Sequence, residues 1–380
     1  MEEAGTDLLI HGQGLFGYHP PEPLVHLNAG NSGSTIRMLS GLLAGQSFDV
    51  RIDGDASLRR RPMKRIIEPL SLMGSRIEAT ENCAPLTIRG QRLRSADYDS
   101  PVASAQVKTC VLFAGLLAGG VTSFSEPALS RNHTELMLKE FGARFTDEIP
   151  GRMSIEGLHE LAPITYRVPG DVSSAAFFIA AAAVLPDSEL LITEVNLNPT
   201  RTAFIDVLKS LGAGIEMRNL RQRHGEPVGD LIVTSNQLRS ESRGTLLSGA
   251  IIPNIIDEIP VLAVIATQVE GQVEIREARE LRIKESDRIR TVADGIRALG
   301  GEIEEFDDGF AVSGPQRLSG GTVESRGDHR IAMAFAIAGL IAKGTTEIID
   351  ADCATVSFPE FYASLEMLTT PDTLSPNAGR

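Results

Sequence analysis

Apolar and polar positions repeat along the chain in one plan, in which a nearly all-apolar helical run precedes an amphipathic one and then short alternating strands. A helix that is apolar all round is buried, and a helix with one apolar face lies at the edge of a core. Each apolar run opens with Gly, Asn, Ser or Asp near a helix cap. The five apolar runs span residues 31–45, 104–120, 171–186, 257–271 and 328–344.

A second, amphipathic helix is predicted after each apolar one. These helices begin near Arg61, His133, Arg201, Asp287 and Phe358. The first four end in a glycine turn that leads into a strand, and short strands fill the remaining gaps. Each unit therefore has the predicted order βαβαββ, in which one helix is buried and the other is half-exposed.

Five apolar helices divide unevenly between two domains, and the start of the chain offers an explanation. Residues 2–11 resemble the end of another unit, as in residues 304–313. This predicts a sixth unit whose front half, roughly fifty residues by the spacing of the repeats, would precede Met1. The predicted domains are residues 1–167, with two full repeats and the tail of a truncated one, and residues 168–370, with three repeats. Residues 371–380, rich in Pro, Ser, Asn and Gly, are predicted to be a disordered tail.

Composition narrows the class of protein. The 380 residues carry a formal net charge of −14 and no Trp, which disfavours binding to nucleic acid or to an anionic membrane. The apolar run 175–185 is too short to span a bilayer. Three cysteines without metal-ligand spacing, and no visible signal peptide, favour a reducing cytoplasm. An anionic substrate would need local positive clusters, and these occur at residues 59–61, 284–288 and 329–330.

The most charged of these clusters lies in residues 281–289 (LRIKESDRI), between a predicted strand and a predicted helix. Ser286 or Asp287 is a suitable N-cap. Lys284 and Arg288 can clamp an anion, and Arg can bind carboxylate or phosphate through two parallel hydrogen bonds. Glu285 between them could move a proton. Taken alone, the stretch is more often a charged, solvated helix start.

Three motifs together carry a resemblance: residues 31–37 (NSGSTIR), 281–288 (LRIKESDR) and 327–330 (GDHR). The chain resembles the enolpyruvyl transferase family from about Leu8 to Leu368, and within that family the branch that acts on shikimate 3-phosphate. Residues 104–108 (SAQVK), 131–135 (RNHTE) and 198–201 (NPTR) resemble its glyphosate-tolerant class II form.

The resemblance implies a fold and a reaction. The fold is a two-domain inside-out α/β barrel of βαβαββ repeats whose domains close on substrate. The reaction transfers the enolpyruvyl group of phosphoenolpyruvate to the 5-hydroxyl of shikimate 3-phosphate and releases phosphate, on the shikimate pathway to chorismate and the aromatic amino acids. The resemblance further implies a cytoplasmic monomer, no cofactor or metal, and glyphosate as inhibitor.

The resemblance also implies roles for the charged residues of the second domain. Asp257 would act as base or orienting acceptor at the reacting hydroxyl, although its position is equally that of a helix N-cap. Glu285 would carry the proton to the methylene carbon. The phosphoenolpyruvate clamp would consist of Lys284, Arg288 and Arg330. His329 is expected to hold its loop or tune a neighbour rather than act directly.

Further substrate contacts are implied in the first domain. Asn31, Gly33 and Ser34 would border phosphoenolpyruvate on a glycine turn into a helix, and Arg61 would reach the same ligand. Contacts to shikimate 3-phosphate would come from Ser104, Gln106, Ser130 and Arg131. Without the resemblance, residues 31–34 are more often an ordinary turn. The four residues assigned to shikimate 3-phosphate are then equally well helix caps or loop residues, whereas Arg59 and Arg60 are predicted at the surface.

The sequence departs from the family pattern at two places. Val356 stands where part of the family has a lysine. Class II members also lack that lysine, so this departure agrees with the class II resemblance. The family's Gly-Asp-Lys-Ser-type loop, which carries a substrate-binding lysine, would precede Met1. This predicts weak binding of shikimate 3-phosphate and poor turnover by these 380 residues alone, since hydrogen bonds to charged groups contribute about 1.5–3 kcal/mol each.

Two other functions remain open from the residues. One is a non-catalytic or complemented fragment, with another chain supplying the first unit. The other is enolpyruvyl transfer to UDP-N-acetylglucosamine, which in that branch involves a reactive cysteine. Cys110 in an apolar helix and Cys83 in a turn without neighbouring cations suit that role poorly. A terminal RNA-phosphate cyclase, which shares the repeat, would have to bind ATP, and the sequence contains no phosphate-loop motif.

Overall fold

The structure is a computed structural model that describes residues 2–4, 7–20, 22–242 and 244–369. These residues form two compact units of mixed helix and strand. One contains the described residues up to Val168 together with Arg221–Pro227, and the other contains Pro169–Leu220 and the described residues from Val228 onward. The predicted α/β class is therefore confirmed. The predicted disordered tail, residues 371–380, lies outside the described residues.

The first unit opens with a short antiparallel hairpin of β1 (Glu2–Ala4) and β2 (Asp7–Leu9). The first full repeat follows and has the predicted order βαβαββ. Its elements are β3 (Leu24–Asn28), α1 (Gly33–Ala44), β4 (Asp49–Asp53), a 3-10 turn (Leu58–Arg60), α2 (Lys64–Leu72), β5 (Arg76–Thr80) and β6 (Cys83–Arg89). The strands form one sheet in the order β3-β4-β6-β5, with β3 and β4 parallel.

The second repeat has the same plan. After the short strand β7 (Leu93–Arg94), its elements are β8 (Asp97–Asp99), α3 (Ala105–Leu116), β9 (Ala118–Gly119), β10 (Val121–Ser125), α4 (His133–Glu140), β11 (Arg144–Ile149) and β12 (Arg152–Glu156). The sheet order β11-β12-β10-β8 places the four strands as in the first repeat, with β8 and β10 parallel.

In the second unit the first repeat is reduced at its start, where a single bridge from Gly170 to Val195 replaces the leading strand. Its elements are α5 (Val172–Val184), β13 (Glu189–Asn196), α6 (Ala203–Ser210), β14 (Gly214–Arg223) and β15 (Glu226–Thr234). Its three strands pair in the order β13-β15-β14.

The next repeat is complete, with sheet order β16-β17-β19-β18. Its elements are β16 (Thr245–Leu247), a 3-10 turn (Gly249–Ile251), α7 (Ile252–Ile255), α8 (Ile259–Ala266), β17 (Gly271–Ile275), a 3-10 segment (Arg279–Ile283), α9 (Arg288–Ala298), β18 (Glu304–Phe306) and β19 (Gly309–Gly314). The last described elements are β20 (Thr322–Glu324), α10 (His329–Ile341), β21 (Glu347–Ile349), a 3-10 segment (Ala351–Val356) and α11 (Phe361–Thr369).

Short side chains let the helices of each core approach closely. In the first unit, a Cβ added to Gly41 of α1 would lie 2.1 Å from the carbonyl oxygen of Cys110 on α3. In the second unit, every residue of α8 is buried, and α5 and α10 are also largely buried. A Cβ on Gly295 of α9 would lie 2.2 Å from Cζ of Phe335 on α10. The predicted burial of the apolar helices is therefore confirmed.

The tip of the β14–β15 hairpin differs from the predicted domain division, which placed residues 168–370 in one domain. Residues 221–227 belong to the first unit. The imidazole of His224 stacks on Tyr166 with ring centroids 4.4 Å apart. Glu226 is buried and lies 2.5 Å from Nδ1 of His133 at the start of α4. These two contacts hold the tip against first-unit residues, which the strand pattern alone could not indicate.

The length and composition of the helices indicate whether any of them could span a bilayer. In the described part of the chain, no single helix is long and apolar enough to cross a membrane. The segments Gly249–Ile255 and Ile259–Ala266 reach that length and apolar character only when taken together, and the chain bends by 105° between them.

Candidate active site

Arg288 lies at the centre of a charged cluster in the second unit. It is the first residue of α9, which Asp287 caps by accepting a hydrogen bond from the backbone N–H of Arg290 at 3.0 Å. The cap confirms the predicted helix start within the 281–289 motif. The Arg288 side chain is only 2% exposed, so the charged motif is not a solvated surface helix.

Three carboxylates surround this guanidinium. Asp257 lies 3.3 Å from Nη1, Glu285 lies 2.7 Å from Nη2, and the fully buried Asp328 lies 2.9 Å from Nε. Burial by itself lowers the pKa of Arg288, but the negative charges of Asp328, Glu285 and Asp257 raise it above its ordinary value. Burial likewise opposes ionisation of Asp328, yet the charge of Arg288 keeps the pKa of Asp328 lowered.

Asp257 contacts a second cation, because Nζ of Lys284 lies 3.4 Å from its Oδ1. Helix α8 begins two residues later with Glu258 at the N-cap position, and no side-chain cap bond forms there. The alternative role of Asp257 as an N-cap is therefore wrong. Its carboxylate is instead held between Lys284 and Arg288, where a basic oxygen lies beside two anion-binding groups.

The start of α10 adds the remaining motif residues to this cluster. Asp328 caps that helix by accepting from the backbone N–H of Arg330 at 3.0 Å, and so joins α10 to Arg288. His329 is partly buried, and its pKa is lowered to about 4 by burial and by the positive charge of Arg330. A neutral imidazole therefore stands beside the guanidinium of Arg330.

A second network supports Arg330 and was not predicted. Its Nη1 lies 3.6 Å from buried Glu258 and donates to the carbonyl of Ser173 at 3.4 Å. The hydroxyl of Ser173 donates to Glu258 and accepts from Arg201. The guanidinium of Arg201 also pairs with Asp171, the cap of α5, at 3.0 Å. Arg201 is the last residue of the 198–201 motif and Glu258 directly follows Asp257. These positions next to predicted site features are the signal that could have pointed to the network.

In the first unit, two arginines converge on the start of α1. A Cβ added to Gly33, the first residue of that helix, would lie 3.2 Å from Nη1 of both Arg37 and Arg61. Nη2 of Arg61 donates to Asn31 at 2.8 Å. Two guanidiniums beside a helix N-terminus form a favourable site for an anion. Arg37 was part of the quoted motif but was not among the predicted site residues.

Ser34 and Gln106 meet across α1 and α3. The amide nitrogen of Gln106 donates to the Ser34 hydroxyl at 2.8 Å, and its oxygen accepts from Arg37 at 2.7 Å. Ser104 is the N-cap of α3 and accepts from the backbone N–H of Val107. The predicted contacts at Ser34, Gln106 and Arg61 therefore lie around one surface formed by two helix starts.

Ser130 and Arg131 lie in the loop between β10 and α4. Ser130 is buried, and its backbone N–H donates to Glu126 at 2.9 Å. Lys108 of α3 donates to the Ser130 carbonyl at 3.3 Å, which joins this loop to the helix that carries Ser104 and Gln106. Arg131 is partly buried. Arg59 and Arg60 are exposed, as predicted, and Arg59 pairs with Asp53 at 2.5 Å.

Cys110 and Cys353 do not suit a nucleophilic role. Cys110 is fully buried in α3, and burial raises the pKa of its thiol. Burial also raises the pKa of Cys353, which is partly buried. Within the described ranges, no group of three or more His, Cys, Asp or Glu side chains is arranged to hold a metal ion.

Comparison with known proteins identifies the class that this fold and these sites define. Residues 2–365 match the family model described as EPSP synthase (3-phosphoshikimate 1-carboxyvinyltransferase). The chain belongs to the EPSP synthase family. A relative from Thermodesulfovibrio yellowstonii, named 3-phosphoshikimate 1-carboxyvinyltransferase, is 49% identical over 95% of this chain and 84% of its own length. A relative of the same name from Koribacter versatilis is 50% identical over 96% of this chain and 86% of its own.

Solved structures agree with this assignment. An EPSP synthase from Acinetobacter baumannii is similar with a TM-score of 0.81 and 40% identity, over 94% of this chain and 81% of that one. The enolpyruvyl transferase NikO from Streptomyces tendae matches with a TM-score of 0.65 at 18% identity, over 81% and 71% of the two chains, and supports the fold alone. The resemblance noted in the sequence is thus confirmed, and transfer to UDP-N-acetylglucosamine is not favoured.

Proposed function

We propose that the chain transfers the enolpyruvyl group of phosphoenolpyruvate to the 5-hydroxyl of shikimate 3-phosphate and releases phosphate. The observation that carries this proposal is the second-unit cluster, in which Asp257 and Glu285 contact the same buried guanidinium beside Lys284. Family membership and the names of relatives at about half identity support the same reaction. The fragment hypothesis has no comparable support from the geometry.

The proposed chemistry needs one proton donor and one proton acceptor. Glu285 protonates the methylene carbon of phosphoenolpyruvate, while the 5-hydroxyl oxygen attacks its C2 and passes a proton to Asp257. The tetrahedral ketal then returns a proton from the new methyl group to Glu285 as the bond to the phosphate oxygen breaks, and Asp257 passes its proton to the departing phosphate. Phosphate and the enolpyruvyl ether leave, and the net proton count is unchanged.

Positive charge binds the two anionic substrates and stabilises the charge that develops. Lys284, Arg288 and Arg330 are proposed to bind the phosphate and carboxylate of phosphoenolpyruvate. Asn31, Gly33, Ser34 and Arg61 are proposed to contribute to that ligand from the first unit. Glyphosate, which also carries a carboxylate and a phosphorus oxyanion, is proposed to compete for these groups. The class II-like motifs predict tolerance to it.

Shikimate 3-phosphate is proposed to bind through first-unit groups. Ser104 and Gln106 at the start of α3 are the proposed contacts to the ring and phosphate, with Ser130 and Arg131 on the phosphate side. His329 is proposed to position Arg330. With its pKa lowered, the imidazole is neutral and does not repel the neighbouring guanidinium.

The proposed setting is a cytoplasmic monomer that binds neither membrane nor nucleic acid. The net charge of −14 and the free thiols of Cys83, Cys110 and Cys353 support it. Light scattering of the purified chain should give the mass of one copy, and the mass of two would refute the monomer.

The reaction is tested by phosphate release from the purified chain in D2O. Release should require both substrates, and deuterium should enter the methylene group of phosphoenolpyruvate and of the product, because the ketal passes through a methyl group. Phosphate release without shikimate 3-phosphate, or no release with both substrates, would overturn the proposed function. Turnover without deuterium incorporation would overturn the assigned proton transfer.

A further inference from the structure

A buried ion triad lies under the loop that carries Ser130. The ammonium of Lys108 on α3 is fully buried, and it pairs with Glu126 at 3.1 Å and with Glu135 at 2.9 Å. Glu126 follows β10, and Glu135 lies in the first turn of α4. The three charges therefore join a strand end and two helices on either side of the loop, far inside the first unit.

Both backbone polar groups of Ser130 are held by this triad. Oε1 of Glu126 accepts from the Ser130 N–H at 2.9 Å, and Nζ of Lys108 donates to the Ser130 carbonyl at 3.3 Å. An apolar residue at position 126 could not accept the first bond, and one at position 108 could not donate the second. A buried unpaired peptide group costs about 1–3 kcal/mol. The triad therefore fixes the backbone of Ser130, which a well-packed hydrophobic cluster could not do.

The backbone of Ser130 is hydrogen-bonded, whereas its side chain is not bonded to any residue that the structure describes. Ser130 is 3% exposed, and among the described residues its hydroxyl has no hydrogen-bond partner. Buried hydroxyls are nearly always bonded, so an unpaired one in a loop that is proposed to bind substrate is suited to a ligand oxygen. The neighbouring Arg131 supplies a positive charge at the next position of the same loop.

The formal charges of the triad do not cancel. One ammonium against two carboxylates leaves an excess negative charge, which would repel a phosphate. Burial raises the pKa of Glu135, although the charge of Lys108 opposes that rise. The raised pKa acts against that excess of negative charge, because it favours the neutral form of Glu135.

We propose that Lys108 and Glu126 are positioning residues for the phosphate of shikimate 3-phosphate, acting through the backbone of Ser130. This rests on the proposed function, since it assigns the phosphate to that loop. Neither residue touches substrate in this proposal. They hold Ser130 so that its hydroxyl and Arg131 point at the phosphate before the ligand arrives, which lowers the ordering cost of binding.

The test compares the two substrates in variants of Glu126. Glu126→Ala removes the acceptor of the Ser130 N–H and is expected to raise KM for shikimate 3-phosphate about tenfold, because one charged hydrogen bond is lost. KM for phosphoenolpyruvate should change less than about twofold. Glu126→Gln keeps an acceptor oxygen of the same shape, so its KM for shikimate 3-phosphate should fall between wild type and Glu126→Ala.

A matched core variant separates positioning from loss of stability. Val111 is fully buried on the same helix as Lys108, and Val111→Ala should lower Tm while leaving the ratio of the two KM values at the wild-type figure. An equal rise in both KM values for Glu126→Ala, or the same selective rise for Val111→Ala, would overturn the inference. If Glu126→Ala does not fold, Glu126→Gln decides, and an unchanged KM ratio in it counts against positioning.

Wild-type turnover separates this inference from the proposed function. An inactive wild type would refute the proposed reaction, whatever the variants do. An active wild type whose Glu126 variants keep normal KM for shikimate 3-phosphate would refute only the positioning role.

Discussion

Asp257 and Glu285 both contact the guanidinium of Arg288, at 3.3 Å and 2.7 Å, although they lie on different segments of the second unit. Two carboxylates so placed would repel each other without the shared cation. Arg288 keeps both carboxylates near one point. The proposed division of acid and base between them depends on this shared contact.

Replacement of either carboxylate should chiefly affect turnover. We expect Asp257→Asn and Glu285→Gln each to lower kcat by about 10²–10⁴-fold, the usual contribution of a general acid or base. Stopped assays of phosphate release at saturating substrates measure this. The control is Asp294→Asn on α9, whose carboxylate pairs with Arg290 and Arg326 outside the cluster. Full kcat in both carboxylate variants would contradict the assigned roles.

Arg288 should be essential for both stability and activity. Arg288→Met removes the ion-pair partner of fully buried Asp328, and breaking a buried ion pair costs about 3–5 kcal/mol. Arg288→Lys keeps the charge but cannot reach three carboxylates at once, so we expect kcat/KM to fall about 100-fold from misplacement alone. Urea unfolding and steady-state kinetics report the two effects.

Arg290→Lys is the matched control for Arg288, because its side chain is 55% exposed two residues further along the same helix. It should change the free energy of unfolding by no more than about 0.5 kcal/mol. Comparable losses in the two lysine variants would show that burial of Arg288 is not the cause.

Gly33 should matter for anion binding. A methyl group there would approach Arg37 and Arg61 to 3.2 Å, so both guanidiniums must shift. We expect Gly33→Ala to raise KM for phosphoenolpyruvate roughly three- to tenfold, since charged hydrogen bonds are weakened. Gly119→Ala is the control, because its Cβ would meet only Leu158 at 4.0 Å. An unaltered KM in Gly33→Ala would argue against an anion at the start of α1.

His329 should make stability depend on pH. Its folded-state pKa is lowered to about 4 from 6.5, so between these values the unfolded chain binds a proton that the folded chain does not. Stability from this group is therefore present above pH 6.5 and is lost as pH falls towards 4, by at most about 3 kcal/mol. Urea unfolding at several pH values should show a flatter profile for His329→Asn, and parallel profiles would contradict the shift.

Much of the local structure could be predicted because it depends on near neighbours in the chain. The apolar runs became buried helices, and Ser104, Asp171, Asp287 and Asp328 became caps, since periodicity and capping act within a few residues. Asp257 was ambiguous on these grounds. Its partners Lys284 and Arg288 lie 27 and 31 residues away, which no local rule can weigh against a cap.

Long-range partners explain what the sequence missed. Glu258 and Ser173 are 85 residues apart, and Arg37 meets Gln106 across 69 residues. The assignment of residues 221–227 to the first unit likewise depends on contacts of His224 and Glu226 with distant positions. The predicted front half of a sixth unit stays a prediction.

The order of apolar and polar residues by itself determined the repeats, the buried helices and the motifs that carry charge, because each follows from spacing along one segment. Only the tertiary structure decided that Arg288 would be enclosed by three carboxylates and that Lys108 would hold Ser130 from beneath. Electrostatic energy depends on distance and burial in space, and both are set when separate segments pack together.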